Sequence, residues 1–486
     1  MVSMLLAELV RDLNVLDIRG DSNIQIAGVA YDSRKVRKGY VFVCIDGMTT
    51  DGHDYADEAL DNGAVAFIAQ RDLQLPEGMP VIKTKDTRIA LACVSDKFYG
   101  HLSSKFKLVG ITGTKGKTTT TFMLKSILEA SGRKVGLIGT LGTRIGDRTL
   151  YSERTTPESL DLQKLFAQMV EEGVDDVVME VSSQGLALHR VSYCDFDTGV
   201  FTNLTRDHIG LKEHASMEEY LMAKCMLFKI CKKGLINLDS EYAIRVLEEA
   251  ECEKLTFGID NSADIRATDI IKLPQSVEFD LTSPWYSGRF KVNIPGKFSV
   301  YNSLAAVGVS GLLGVPQDAV KAGLECVQVP GRAELVDTGR DFSVIIDYAH
   351  TPDSLENILC TVRDYSAGRV VCIFGCGGDR DRAKRPMMGA ISGNLADYTV
   401  ITSDNPRTED PEAIIMQIEE GIKGTNGKYI CISDRREAIK HAISEARAGD
   451  VLVLAGKGHE TYQTFKDKTI HFDEREVVKE LLDADI

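Results

Sequence analysis

A short stretch rich in glycine, lysine and threonine carries the clearest chemical signal in the chain. The segment Gly113-Thr-Lys-Gly-Lys-Thr-Thr119 follows an apolar run and opens a helical pattern. Glycines let backbone N–H groups converge, a helix N-terminus favours anions, and a lysine with a hydroxyl suits a triphosphate and its Mg²⁺. The general phosphate-loop pattern needs a glycine where Ile111 stands, so this loop is a shorter variant, G-T-x-G-K-T. It predicts a polyphosphate site; the alternative is a glycine turn that binds nothing.

Other residues could act beside this loop. Glu180 ends the apolar run Asp176–Glu180, where a carboxylate could hold Mg²⁺, directly or through water, or simply cap the strand. Asn203 and His208 follow the next predicted strand and could face the same cleft. Lys224 lies in an otherwise apolar helix. The pattern alone favours a surface lysine that extends its ammonium to water, and the alternatives are an ion pair, a depressed pKa or a chemical modification.

Four polar loops follow successive predicted strands in the C-terminal third of the chain. They are Asp347-Tyr-Ala-His-Thr-Pro352, Gly375-Cys-Gly-Gly-Asp-Arg-Asp381, Ser403-Asp-Asn-Pro-Arg407 and Gly456-Lys-Gly-His-Glu460. Ligands of doubly wound sheets bind beyond the carboxyl ends of the strands. Four loops of this composition at equivalent strand ends therefore indicate one binding site.

The elements that must position these residues alternate between strands and helices, which predicts an α/β protein of three domains. Residues 1–103 are expected to form a small α/β domain. Residues 104–330 should form a mostly parallel sheet with the phosphate loop, and residues 331–486 a doubly wound, Rossmann-like domain. The turn Val329–Gly331 is a predicted hinge, and closure there on ligand binding is expected. One helix is predicted around Ser216–Cys231, and one strand over Gln25–Tyr31.

The composition excludes several classes of protein. A chain of 486 residues is too long for one core. Its formal charge of −15 argues against non-specific binding to nucleic acid or to an anionic membrane. The eleven cysteines show no zinc-type pairing, which favours reduced, mostly buried thiols. We find no signal peptide and no apolar run of membrane-spanning length, so the sequence predicts a cytoplasmic protein.

The ordered set of motifs resembles the Mur ligase superfamily, the ATP-dependent amide-forming enzymes of peptidoglycan precursor synthesis. The motifs that carry the resemblance are Asp32-Ser-Arg34, Gly113–Thr119, Thr155-Thr-Pro157, Met179–Ser183, Thr202-Asn-Leu204, Asp207-His208, Lys224, Gly331-Arg332, Asp347–Pro352, Asp404–Arg407 and Gly456–Glu460. Each motif alone is weak, whereas the ordered set is specific. The resemblance implies a monomeric ligase that uses ATP and Mg²⁺ and joins meso-diaminopimelate to UDP-N-acetylmuramoyl-L-alanyl-D-glutamate through an acyl phosphate. Only small-molecule substrates are implied as partners.

The resemblance also implies roles for individual residues. The UDP-linked substrate would be held by Ser33, Met48, Thr49, Thr50, Thr155, Thr156, Ser182 and Arg190. ATP would be held by Gly113, Thr114, Lys115, Gly116, Lys117, Thr118 and Thr119, and from the hinge side by Asn302, Arg332 and Asp347. Magnesium would be held by Thr118, Glu180, His208 and Lys224, the last as a carbamate. Catalytic roles would fall to Lys117, Lys224 and His208, which reverses the surface interpretation of Lys224.

The loop Asp404-Asn-Pro-Arg407 matches the diaminopimelate-type motif, from which lysine-adding relatives depart. Arg407 could clamp the far carboxylate of the acceptor, the group that lysine lacks, while Glu460 takes the far ammonium. Lysine would leave Arg407 unpaired in a buried site, and such an omission discriminates strongly. The other members of the predicted acceptor site are Arg380, Asp404, Asn405, Pro406 and Gly456.

The chain also departs from the common pattern of the superfamily at a few positions. The loop Ile209–His214 is longer than usual and lacks an aspartate, while Gln184 and Ser299 replace a frequent histidine and asparagine. Two rival functions fit less well. A folylpolyglutamate-type synthase would lack the first domain and the Asp404–Arg407 loop. A phosphate-loop switch or motor would not need the four C-terminal loops.

Overall fold

The computed structural model describes residues 3–47, 50–146, 148–207, 209–210, 213–273 and 275–484. By its internal contacts the chain divides into two compact units. The first comprises Met1–Arg266, Ser283–Trp285 and Leu304–Gly323; the second comprises Ala267–Thr282, Tyr286–Ser303 and Leu324–Ile486. The division into three domains at 103/104 and 330/331 stays a prediction.

The first unit begins with a five-stranded sheet, a separate two-stranded sheet and their helices. Its strands are β1 Met4–Leu5, β2 Val15–Arg19, β3 Gln25–Ile26, β4 Gly28–Ala30, β5 Tyr40–Val43, β6 Ala64–Ala69 and β7 Val81–Thr84, and its α-helices are α1 Leu6–Leu9, α2 Ala56–Asp61 and α3 Thr87–Tyr99. The order β2-β7-β6-β5-β4 is parallel except at the β2 edge. The prediction of one strand over Gln25–Tyr31 is wrong, because β3 pairs with β1 whereas β4 pairs with β5.

A larger sheet follows in the same unit. Its strands are β8 Lys107–Thr112, β9 Val135–Gly139, β10 Gly142–Ile145, β11 Arg148–Leu150, β12 Asp176–Glu180, β13 Phe196–Phe201, β14 Cys231–Asn237, β15 Glu253–Gly258 and the start of β16 Ile265–Lys272. Within this unit the order is β11-β10-β9-β12-β8-β13-β14-β15-β16, and among its described pairs those that β10 forms with β9 and with β11 are antiparallel. The helices are α4 Lys117–Ala130, α5 Ser159–Glu171, α6 Ser183–Ala187, α7 Met217–Cys225, α8 Leu227–Ile230 and α9 Ala243–Glu249.

The single helix predicted around Ser216–Cys231 is also wrong. The chain turns at Met226 between α7 and α8, and Cys231 already belongs to β14, where it pairs with Phe196. Leu227 and Phe228 are fully buried in the core under the sheet. The pairing of Cys231 in β14 therefore ends the helical region earlier than the sequence pattern predicts.

The remaining elements lie wholly or partly in the second unit. The strands are β17 Val277–Thr282, β18 Ser287–Val292, β19 Glu334–Val336, β20 Ser343–Asp347, β21 Val370–Phe374, β22 Tyr398–Ile401, β23 Tyr429–Cys431, β24 Val451–Ala455, β25 Tyr462–Thr464 and β26 Thr469–His471. The helices are α10 Lys297–Leu312, α11 Gln317–Cys326, α12 Pro352–Arg363, α13 Lys384–Leu395, α14 Pro411–Ile422, α15 Arg435–Ser444 and α16 Glu474–Asp483. Helix α10 and helix α11 each continue between the two units.

The second unit contains the predicted doubly wound sheet. Its order is β19-β20-β24-β21-β22-β23, and every pair is parallel except β19 with β20. Helix α14 begins after Asp410, whose carboxylate accepts the Glu412 N–H, and has proline in its first turn. No helix in the described ranges combines the length and apolarity needed to cross a bilayer.

Candidate active site

The phosphate loop lies between β8 and α4, and its shape depends on two glycines. Gly113 and Gly116 have φ of 147° and 86°, values that L side chains rarely adopt. A Cβ atom on Gly113 would stand 1.9 Å from Thr202 Oγ1. Strands β12 and β13 flank β8 in parallel, so the residues that follow all three strands meet at one edge of the sheet.

Asn203 lies beside the loop, as its position after β13 predicts, and its side chain braces the loop backbone. The Lys115 N–H donates to Asn203 Oδ1 at 2.9 Å, and Asn203 Nδ2 donates to the Lys115 carbonyl at 3.1 Å. The Thr114 N–H also donates to the Asn203 carbonyl, at 2.9 Å. These bonds fix the conformation of the loop backbone. His208, the other residue predicted here, lies outside the described residues.

Two lysines converge on one carbonyl of the loop. Lys117 Nζ donates to the Gly113 carbonyl at 2.7 Å, and Lys224 Nζ donates to the same oxygen at 3.0 Å. Lys224 is 1% exposed, and its Nζ lies 4.3 Å from the centre of the Tyr220 ring. Burial, and next the charge of Lys117, lowers the pKa of Lys224 well below its ordinary value. The surface position favoured by the pattern alone is therefore wrong.

Glu180 is a buried carboxylate at the end of β12, directly beside the loop. Thr118 Oγ1 and the Thr140 N–H donate to Oε1, both at 3.0 Å, and Thr140 Oγ1 donates to Oε2 at 3.0 Å. Glu180 is 1% exposed, and within the described ranges it forms no ion pair. Glu180 and Thr118 offer oxygen ligands of the kind that Mg²⁺ takes in proteins, so these residues fit a magnesium ion.

The residues predicted to hold the muramoyl-peptide end form one network next to Glu180. Thr155 Oγ1 lies 3.1 Å from Thr140 Oγ1, and Thr156 Oγ1 donates to the Glu180 carbonyl at 3.0 Å. The Ser182 N–H donates to Thr156 Oγ1 at 3.0 Å, and Arg190 Nη1 donates to the Thr156 carbonyl at 3.0 Å. The structure thus brings Thr155, Thr156, Ser182 and Arg190 together at the edge that carries the phosphate loop.

The predicted UDP-binding residues lie in the first part of the same unit. Ser33 is buried, and its hydroxyl donates to Glu58 Oε2 at 2.8 Å. Thr50 closes a turn in which its carbonyl accepts the Gly47 N–H at 3.0 Å. Met48 and Thr49 lie outside the described residues.

His53 also shapes the segment that follows the turn at Gly47 and Thr50, and sequence reasoning missed it. Its Nδ1 lies 2.6 Å from Asp51 Oδ1, and its Nε2 accepts the Gln70 N–H at 3.0 Å. These two contacts fix the tautomer and hold the end of the turn. The Asp-x-His spacing was the available signal.

Two loops of the second unit are predicted to bind the acceptor, Ser403–Arg407 and Gly456–Glu460, and are called the acceptor loops below. They surround a buried lysine that the sequence did not identify as a site residue. Lys457 is 0% exposed. Its Nζ lies 3.3 Å from Asp404 Oδ1, 3.3 Å from Asn405 Oδ1 and 3.4 Å from Glu460 Oε2. Asn405 Nδ2 donates to Glu460 Oε2 at 2.7 Å. Burial raises the pKa of Glu460 and Asp404 raises it further, whereas Lys457 opposes the rise.

Arg407 adopts a left-handed backbone conformation with φ of 52°, which is uncommon outside glycine. Its N–H donates to the Thr464 carbonyl at 3.0 Å, and its Nη1 donates to the Gly378 carbonyl at 2.9 Å. Among the described residues only Nη1 of this guanidinium is hydrogen-bonded, which leaves Nε and Nη2 for a carboxylate. Arg380 is exposed in the neighbouring loop.

Two further buried side chains fix the acceptor loops from below. Arg435 donates from Nη1 to the Ser403 carbonyl at 3.2 Å and from Nη2 to the Ala455 carbonyl at 2.9 Å, while its Nε donates to Glu474 Oε1 at 2.8 Å. Gln463 Nε2 donates to the Asp404 carbonyl at 2.7 Å. The two carbonyls that Arg435 holds directly precede Asp404 and Gly456. Sequence reasoning missed both side chains. Arg435 was missed because an arginine at a helix start usually faces water.

The residues predicted to reach the nucleotide from the hinge side also lie in the second unit. The Arg332 guanidinium stacks on the Tyr348 ring at 4.8 Å. The Ala333 N–H donates to Asp347 Oδ2 at 2.7 Å, and burial raises the pKa of Asp347. Asn302 is buried on helix α10. Arg332 and Asp347 are thus close in space, and their contact with the nucleotide stays a prediction.

One sheet edge carries a phosphate loop, a buried lysine and a buried carboxylate. The second unit is doubly wound and carries charged loops. These features define an α/β nucleotide-binding protein. Family models identify it further: the Mur ligase family catalytic domain matches residues 25–99, the Mur ligase middle domain residues 111–310, and the Mur ligase glutamate ligase domain residues 331–458. The chain belongs to the Mur ligase family.

Relatives match the chain over nearly its whole length. A UDP-N-acetylmuramoyl-L-alanyl-D-glutamate–2,6-diaminopimelate ligase of Caldanaerobacter subterraneus is 52% identical over 96% of this chain and 96% of its own. A protein of the same name from Clostridium botulinum is 49% identical over 94% and 95%. A solved structure of an enzyme with that name superposes with a TM-score of 0.74 and 30% identity, covering 100% of this chain and 99% of its own.

Proposed function

We propose that this chain is an ATP-dependent ligase that adds meso-diaminopimelate to UDP-N-acetylmuramoyl-L-alanyl-D-glutamate in peptidoglycan precursor synthesis. The observation that carries the proposal is the acceptor loop, in which Arg407 keeps free guanidinium donors beside the buried Asp404 and Asn405 and the half-buried Glu460. The shared name of relatives at 52% and 49% identity supports the same activity.

In the first half-reaction, a carboxylate oxygen of the UDP-linked dipeptide attacks the γ-phosphorus of ATP. The bond from that phosphorus to the bridging oxygen breaks, which gives an acyl phosphate and ADP. Lys117 and the loop amides of residues 113–119 neutralise and align the phosphates. Thr118, Glu180, His208 and the Lys224 carbamate would hold Mg²⁺, which supplies further neutralisation of phosphate charge.

The proposal includes a carbamate on Lys224. A neutral Nζ attacks carbon dioxide, an N–C bond forms and one proton leaves, so that a buried cation site becomes an anion. Burial supports this chemistry, because it lowers the pKa of Lys224 and so favours the neutral, nucleophilic amine.

In the second half-reaction, the neutral amine of diaminopimelate attacks the acyl carbon and phosphate leaves through a tetrahedral intermediate. We assign the proton of the amine to His208 or to a nearby water. Arg407 would clamp the far carboxylate in bidentate fashion, and Glu460 would take the far ammonium. The remaining acceptor contacts would come from Arg380, Pro406 and Gly456. Lysine lacks the far carboxylate and would leave Arg407 unpaired, so it should be a poor acceptor.

The proposal includes the organisation of the chain: a UDP-substrate domain over residues 1–103, an ATP domain over 104–330 and an acceptor domain over 331–486. Asn302, Arg332 and Asp347 would contact ATP, and the last domain would close at Val329–Gly331. The enzyme would work in the cytoplasm as a monomer on small molecules, without nucleic acid or membrane partners.

A phosphate-release assay tests the function. Release should stay near background until ATP, the UDP-linked dipeptide and meso-diaminopimelate are all present, whereas a switch or motor would hydrolyse ATP without either substrate. L-lysine in place of meso-diaminopimelate should give a much slower reaction. Release that ignores both substrates would refute a ligase, and faster release with lysine would refute the acceptor assignment.

A further inference from the structure

Two cysteines of the first unit lie in one hydrophobic cluster, away from the residues that the proposed function uses. Cys231 is the first residue of β14 and is 8% exposed. Cys252 directly precedes β15, is half-buried and packs against the same cluster. Both are free thiols. The pair belongs neither to the phosphate loop nor to the acceptor loops, so its chemistry is a separate question.

Backbone bonds hold the segments of the two cysteines together on both sides of the pair. On one side, the Glu251 N–H donates to the Phe228 carbonyl at 3.1 Å. On the other side, β14 and β15 pair in parallel, with Lys233 opposite Glu253. Both cysteines lie between these two fixed points, and the separation of their backbones is therefore set by the sheet.

Two glycines leave room for both sulfur atoms on one face of the sheet. Gly199 of β13 and Gly234 of β14 are register partners, so side chains at these positions would lie on the same face. A Cβ atom on Gly199 would stand 3.0 Å from Cys231 Sγ, and one on Gly234 would stand 2.9 Å from Cys252 Sγ. The two sulfur atoms therefore occupy adjacent positions over this pair of glycines.

The two thiols also change each other's ionisation. The hydrogen bond that Cys231 donates lowers the pKa of Cys252 to about 7, while burial opposes the shift. The same hydrogen bond, and next burial, raises the pKa of Cys231. Cys252 is the more accessible of the two and ionises near neutral pH, and the thiolate is the nucleophilic form of cysteine. Cys231 is the protonated neighbour that can react with it next.

We propose that Cys231 and Cys252 form an oxidation site, at which a peroxide converts the two thiols into a disulfide. The Cys252 thiolate attacks one peroxide oxygen, the O–O bond breaks, and the leaving oxygen takes up a proton, which leaves a sulfenic acid on Cys252. Cys231 Sγ then attacks that sulfur, an S–S bond forms, and the sulfenic oxygen leaves as water with the proton of Cys231. One hydrogen peroxide and two thiols thus give one disulfide and two waters.

One equivalent of hydrogen peroxide per chain, added to the full-length protein at pH 7, tests the site. The remaining thiols are alkylated, and the protein is digested without reductant. Mass spectrometry should then find Cys231 and Cys252 in one cross-linked pair of peptides, as the main oxidation product. Dithiothreitol should remove the link. Cys360 is the internal control and should stay a free thiol, because it is exposed but burial and next Glu356 raise its pKa.

Alkylation of the untreated wild type measures the reactivity of Cys252 directly. Iodoacetamide at pH 7 should modify Cys252 about fivefold faster than Cys360, because the larger thiolate fraction of Cys252 outweighs the lower nucleophilicity that accompanies a lower pKa.

Three variants separate the two steps of the reaction. Cys231→Ser should stop at a sulfenic acid on Cys252, which a dimedone probe captures. Cys252→Ser should form no cross-link and should leave the buried Cys231 reduced. Cys360→Ser is the matched control and should form the same cross-link as the wild type.

The wild type alone can overturn the proposal, so the test does not depend on the folding of a variant. Oxidation of Cys252 to a sulfinic acid without a cross-link to Cys231 would overturn it, and so would a Cys360 that reacts as fast as Cys252. A link between two chains, seen as a doubled mass without reductant, would overturn it as well. None of these measurements uses the ligase reaction, so failure of the proposed function would leave the oxidation site unaffected.

Discussion

Replacing Lys457 by methionine tests how much the charge of this lysine stabilises the carboxylates of the acceptor loops. The change removes the only cation within 3.4 Å of Asp404 Oδ1 and Glu460 Oε2 among the described residues, while a side chain of similar length still fills the space. Breaking a buried ion pair by removing one partner costs about 3–5 kcal/mol, because a carboxylate remains buried without compensation. We therefore expect Lys457→Met to lose about 3 kcal/mol of unfolding free energy near neutral pH.

This loss should depend on pH, with a sign set by Glu460. Burial raises the pKa of Glu460 above its ordinary value of 4.5, and removal of Lys457 raises it further. An acid whose folded-state pKa lies above its unfolded-state value loses stability as pH rises from the unfolded value through the folded one. The destabilisation of Lys457→Met should hence be smallest near pH 4.5 and grow as the pH increases.

Urea unfolding of the wild type and the variant over a series of pH values measures both effects. Lys423→Met is the matched control in the same unit, because Lys423 is 59% exposed and pairs with Glu419 on the surface. The control should lose less than about 1 kcal/mol. The reasoning is refuted if Lys457→Met is as stable as Lys423→Met at neutral pH, or if its loss of stability is the same at every pH.

Three further substitutions test other parts of the site. Gly113→Ala should abolish ATP binding, measured by calorimetry, because its Cβ would meet Thr202 Oγ1 at 1.9 Å; Gly132→Ala, also at positive φ but in open space, should bind ATP normally. Arg407→Gln should raise the KM for meso-diaminopimelate about 100-fold, the cost of an unpaired charged group, and an equal change with L-lysine would contradict the clamp. Lys224→Gln should lower phosphate release about 100-fold or more with little change in melting temperature; wild-type activity should fall on removal of carbon dioxide and bicarbonate and recover on their return.

The positions of the main site residues could be predicted because they follow strands. A phosphate loop after β8 and a carboxylate at the end of β12 are visible in local patterns, and parallel strands bring such ends together. The four charged loops of the second unit were predicted by the same rule. The position of these loops at one edge could be predicted without knowledge of distant contacts, because the doubly wound topology fixes which strand ends share an edge.

The supporting side chains could not be predicted, because their burial depends on contacts far along the chain. Arg435 pairs with Glu474, 39 positions away, and nothing in the helix start indicates that it faces inward. Lys224 was misjudged from its pattern for the same reason, since only the packing of Tyr220 and the Gly113 carbonyl enclose it. The predicted helix end at Cys231 was wrong, because the pairing of Cys231 with Phe196 in the sheet outweighs the local helix preference.

The frame formed by Arg435, Gln463 and Lys457 has a consequence for how acceptor preference can change. Arg435 and Gln463 hold the backbone of the acceptor loops and Lys457 holds their side chains. We expect Arg407 and Arg380 to meet the acceptor from the exposed side. Replacing Arg407 removes one bond to the neighbouring loop, from its Nη1 to the Gly378 carbonyl, but leaves the bonds of the buried frame in place. Substitutions at the exposed arginines should therefore change the acceptor preference while the buried frame stays unchanged.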